Sequence, residues 1–142
     1  MNVYGVKLKF LSCTAATLAF SILSGLPALA SCDAPAISAA RQKLQRAIVD
    51  HDQLAAMLAA SEGFNAENPC IDDLPATVQR SKHVVSFAEF TIYGYAYGGH
   101  RRDFLDLGKS FVDHELTYGS PDARTRRRLE SLKENLMDKL RG

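Results

Sequence analysis

The stretch YGSPDARTRRRLESLKENLMDKL, residues 118–140, holds a chain boundary and a complete amphipathic helix. Gly119 ends one element, Ser120 can cap the next, Pro121 suits a first turn, and Asp122 places negative charge near the helix N-terminus. Beyond it Leu129, Leu132, Leu136 and Leu140 recur at three- and four-residue steps, with Arg, Glu and Lys at the positions between. A helix with one apolar stripe must bury it against another element, and the steps are those of a bundle seam. The run is too short for a long coiled coil.

Upstream the same periodicity returns. His100 to His114 carries Phe104, Leu105, Leu107, Gly108, Phe111 and Val112 at helical spacing. Before it, Val78, Val85, Ala88, Ile92 and Tyr95 or Ala96 form another stripe, broken by Gly98-Gly99. Val84, Phe87 and Phe90 widen that stripe and imply contact with more than one neighbour. Alternating Tyr93, Tyr95 and Tyr97 have strand propensity, but a lone strand would have no partner, so helix is expected to Tyr97. Residues 63–75, with Asn65, Asn68-Pro69 and Asp72-Asp73, read as an irregular connection. From Pro35 to Ser61 one long helix is expected, its stripe made of Ile37, Ala40, Leu44, Ala47, Ile48, Leu54, Ala55 and Leu58. The fold class is therefore all-α, a small antiparallel bundle of four helices occupying residues 32–142 as a single domain.

Residues 1–31 have a different character. Lys7 and Lys9 precede an uncharged run from Phe10 to Ala30, the profile of a cleavable signal peptide. Ala28 and Ala30 fit cleavage before Ser31. Leu29-Ala30-Ser31-Cys32 also resembles the lipobox of bacterial lipoproteins, which implies cleavage before Cys32 and lipidation of that cysteine. The resemblance covers four residues. Either reading sends the mature chain to the bacterial periplasm or envelope, in the second case membrane-anchored through Cys32. Permanent retention as a membrane helix is disfavoured by Ser12, Thr14, Ser21, Ser24, Gly25 and Pro27.

Loss of 31 residues leaves 111 of the 142, enough for one modest core. It also removes two lysines and no acid, turning a formal charge of +1 into −1. That balance argues against a general nucleic-acid binder, and the cluster Arg124, Arg126, Arg127 and Arg128 is offset by Glu130, Glu134 and Asp138. Cys32 and Cys70 survive processing. An oxidising compartment would let them pair, so lipidation and a disulfide compete for one sulfur.

No catalytic constellation emerges. Adjacent helical side chains diverge, so Asp50-His51-Asp52 and Asp113-His114-Glu115 are poor chelates. His100 and Asp103 can share a face and are the metal or acid–base candidates, though further ligands would have to be brought by folding. Ser61, Ser81, Ser86 and Ser110 lack a nucleophile elbow, and Gly94, Gly98 and Gly99 lack the setting of a phosphate loop. No cofactor is implied, and nothing in the pattern specifies an oligomeric state.

The preferred expectation is a small envelope or periplasmic interaction protein acting by stoichiometric protein binding: an inhibitor, an immunity factor or an assembly accessory, with an exported or envelope protein as partner. Tyr93, Tyr95, Tyr97 and Arg101 are the candidate binding surface, because aromatic and arginine side chains make effective interface anchors. The alternatives are a metal-assisted hydrolase or ligand-binding domain using His100 and Asp103, and a structural lipoprotein.

Overall fold

The computed structural model describes residues 32–142; the expected signal segment lies outside the described residues. Within 32–142 the chain is helical: α1 (Ala34–Val49), α2 (Gln53–Asp73), α3 (Val78–Tyr97), α4 (Arg102–Tyr118) and α5 (Ala123–Arg141). Where four helices are expected from the sequence, five are present among the described residues. None of these is long and apolar enough to cross a membrane.

The additional helix arises at residues 50–52. Asp50 closes α1, His51 adopts a left-handed backbone (φ 56°), and Asp52 opens α2 by accepting the Ala55 N–H at 2.9 Å. The expected long helix is thus two, and the turn resets the buried face. Leu54 and Leu58, expected inside, are 62% and 52% exposed, while Ala56, Ala59, Ala60 and Gly63 face the core instead.

The second departure is the stretch expected to be irregular, residues 63–75, which is helical as far as Asp73 with Pro69 inside it. Proline removes one helical N–H and crowds the preceding turn. Tertiary contacts outweigh that cost: Glu67 and Cys70 are buried, and Phe64, Ala66 and Ile71 pack against the cores. Phe64 sits edge-on to Phe87 at 6.1 Å and tilted on Phe104 at 5.5 Å.

Each helix packs on the one before it, and α3 touches α2, α4 and α5. The widened stripe of α3 serves this central position, with Val84, Phe87, Ala88, Phe90 and Thr91 all buried. One core joins Ile37, Ala40, Leu44, Ala47, Ala56, Ala59, Ala60 and Cys70 to Phe90; the other joins Val84 and Ala88 to Leu105, Val112, Leu129, Leu132 and Leu136. The three α5 leucines contribute roughly 1.5–3 kcal/mol each by burial. The first core is alanine-rich and offers less area per residue.

α5 begins two residues later than a Ser120 cap implies. Asp122, not Ser120, is its N-cap and accepts the Thr125 N–H at 2.8 Å; hydrogen bonding from the Thr125 side chain, and then from its N–H, lowers the Asp122 pKa. Two charged contacts tie α4 to its neighbours. Glu115, 1% exposed, accepts from Ser81 Oγ at 2.6 Å and from Arg80 Nε at 3.1 Å, which satisfies a carboxylate otherwise costly to bury. Asp113 meets Lys109 at 2.6 Å and Lys133 of α5 at 2.8 Å; burial raises its pKa, but the two lysines outweigh burial and hold it below the ordinary carboxylate value.

Candidate functional site

The four residues expected to form one surface separate on folding. Tyr93 is 41% exposed on the outer side of α3, whereas Tyr95 packs against the α3–α5 core and Tyr97 against the α1–α2 core. Residues two apart on a helix point in different directions, so the alternation that suggested a strand divides the rings between faces. Arg101 is exposed at the start of α4, where its guanidinium pairs with Asp103 and lies 5.3 Å over the Phe104 ring.

His100 and Asp103 do not converge on a shared ligand position. His100 has a left-handed backbone (φ 59°), donates its N–H to Tyr95 O at 3.1 Å, and sets its ring 5.1 Å from Tyr95. Asp103 is engaged by Arg101. Among the described residues no third ligating side chain joins them.

Tyr93 instead floors a groove of about 420 Å³ that opens between α1 and α5 above α3. Phe90 and Ile92 complete the floor, and Leu44, Ile48 and Leu132 form the apolar walls. The rim carries Arg41 from α1 and Arg128 and Lys139 from α5, with Gln45, Ser131 and Asn135 between them. One carboxylate answers these three cations. Glu89 meets Arg41 at 3.2 Å and Arg128 at 2.8 Å, and Arg41 also hydrogen-bonds Ser86 and stacks 5.2 Å over Phe90. The groove exists because α1 neighbours α2 but not α5. Sequence periodicity could not find it, since its residues come from three helices; the Arg128 end of the basic cluster was the one visible signal.

A second polar cluster lies at the junction of α2, α3 and the segment before α1. Cys32 and Cys70 form a disulfide, so in this form the sulfur that lipidation requires is committed to the pairing. Cys70 is fully buried and Cys32 partly exposed. His83 reaches across from α3: its Nε2 lies 3.8 Å from Cys32 Sγ, and its Nδ1 lies 2.6 Å from Glu67 Oε2. The Glu67 side chain is 1% exposed and that of His83 14%. A carboxylate at Nδ1 fixes the ring and aims Nε2 at the sulfur. The sulfurs and Nε2 lie within 4.8 Å of one another, but the disulfide uses both thiolates, so the oxidised chain has no metal-ligand set there. The sequence leaves Cys32 open to lipidation or to pairing with Cys70 and carries no signal for His83, because Glu67 and His83 lie 16 residues apart on separate helices.

No protein-family model, curated protein or solved structure matches this chain.

Proposed function

We propose that the chain is an exported binding module of the bacterial periplasm or envelope that seats an acidic, amphipathic helix of another exported protein in the groove between α1 and α5. One observation carries the reading: three rim cations, Arg41, Arg128 and Lys139, face a single carboxylate, Glu89, around an apolar floor. An occupant with an apolar stripe and flanking acids would bury the Ile48, Ile92 and Tyr93 surface and balance the rim charge. Stoichiometric capture of this kind suits an inhibitor, immunity factor or assembly accessory, and it needs no catalytic group.

The test uses two synthetic amphipathic helices with the same apolar stripe, one flanked by Glu and one by Lys. The Glu peptide is expected to bind, to weaken as salt rises, and to lose about tenfold in affinity with Arg128→Gln plus Lys139→Gln, a little over 1 kcal/mol. Equal binding of both peptides, or of neither, overturns the proposal. The export half of the reading has its own measurement, the intact mass of the chain recovered from the envelope. Loss of the first 30 residues with a two-proton deficit marks the exported disulfide form; loss of 31 with a lipid increment marks the lipoprotein; an unprocessed chain overturns export.

A further inference from the structure

The junction of Cys32, Cys70, His83 and Glu67 has the parts of a thiol–disulfide exchange site. A disulfide that only staples a fold needs no acid–base partner. Here a carboxylate is buried against its desolvation cost, hydrogen-bonded to an imidazole, and that imidazole is aimed at one of the two sulfurs. The sulfurs are also unequal in access: Cys32 is partly exposed, whereas Cys70 is enclosed by α2 with its Sγ near Ala66 O. Exposure therefore favours attack at Cys32 over Cys70.

We propose that the Cys32–Cys70 disulfide is redox-active and exchanges with the dithiol of an exported protein, Cys32 being the attacked sulfur, His83 the proton carrier and Glu67 its positioning residue. The partner's thiolate attacks Cys32 Sγ. A mixed disulfide forms, the Cys32–Cys70 bond breaks, and its electron pair goes to Cys70 Sγ, which is then protonated. The partner's second thiol then attacks its own sulfur in the mixed disulfide. That step leaves the partner oxidised and releases Cys32 as a thiolate, which takes a proton from His83, whose Nε2 lies 3.8 Å away. Two electrons and two protons have passed from the partner's dithiol to this chain. The groups facing His83 are Glu67 from α2, the Cys32 sulfur ahead of α1, and the neutral Gln79 on its own helix at 3.4 Å.

The experiment uses the oxidised, processed chain, with glutathione to trap the mixed disulfide and dithiothreitol to follow reduction. Glutathione adducts are expected on Cys32 with Cys70 free. The folded chain is expected to be reduced faster than the same chain unfolded in guanidinium, the reverse of what burial does to a purely structural bridge. His83→Gln should slow reduction about 10²-fold, and Glu67→Gln should fall between it and the native chain. Adducts on Cys70, slower reduction of the folded than of the unfolded chain, or a His83→Gln rate equal to the native one would each overturn the proposal. The first two need no variant, so they stand even if a substitution disturbs folding.

Discussion

His51 illustrates how a single backbone conformation redirected the fold. The left-handed region costs a non-glycine residue roughly 1–2 kcal/mol, and His51 bears that cost between a helix end and a capping aspartate. His51→Gly relieves the clash but adds freedom to the unfolded chain, so the expected net gain is about 0.5–1 kcal/mol in denaturant unfolding. His51→Val should lose about 1–2 kcal/mol, because a β-branched residue tolerates this conformation worst. If both variants unfold at the native midpoint, the turn is not under this strain. The break was hard to read because the apolar rhythm continues across it: Leu44, Ala47 and Ile48 precede it, Leu54, Ala55 and Leu58 follow in phase, and alanine favours helix throughout. Asp-His-Asp was considered as a chelate and dismissed. Its turn-forming meaning lay in two aspartates, one closing a helix and one opening the next.

At the scale of the element, α2 shows packing overriding local signals. Asn68-Pro69 and the paired aspartates are loop chemistry, yet the helix continues because Glu67, Cys70 and Gly63 face buried partners that no local rule contains. Glycine is a common helix stop, yet Gly63 lies inside α2. Its role here is close approach, since a Cβ at that position would overlap the Phe90 ring of α3. Phe90 is itself 2% exposed and has Arg41 over its ring, so moving it aside disturbs packed neighbours. Gly63→Ala should therefore destabilise the protein by about 1–3 kcal/mol despite alanine's better helix propensity. The thermal midpoint reads the sign: a rise would mean that α2 and α3 are not in contact there. By contrast α5 was legible almost to the residue, because Leu129, Leu132 and Leu136 fill one seam and the polar positions are solvated. The tyrosines of α3 were legible as helix but not as surface, since which ring faces outward depends on where α1, α2, α4 and α5 lie.

In the whole molecule, two cores meet on α3, and they are unequal. The α3–α5 side buries leucine, valine and the paired Phe87 and Phe111 rings, 4.4 Å apart, while the α1–α2 side is mostly alanine. By backbone proximity α1 neighbours α2 alone, and it reaches α3 through Arg41 and the apolar contact with Phe90. The Cys32–Cys70 bond compensates for that thin attachment. It closes a separation of 38 residues spanning α1 and most of α2, worth about 4 kcal/mol in the chain-entropy model. Stability distributed in this way should open in parts, with α1 released first. Hydrogen exchange on the reduced and oxidised chain measures this directly: reduction should strip protection from α1 and the start of α2 while α3, α4 and α5 keep theirs. A uniform loss would mean that the two cores unfold as one unit, and an unchanged pattern would mean that α1 holds without the disulfide. The distinction bears on function because α1 supplies Arg41, Leu44 and Ile48 to the groove wall. With α1 released, the groove has a floor and one side, and the acidic helix should lose affinity on reduction without any substitution in its binding surface.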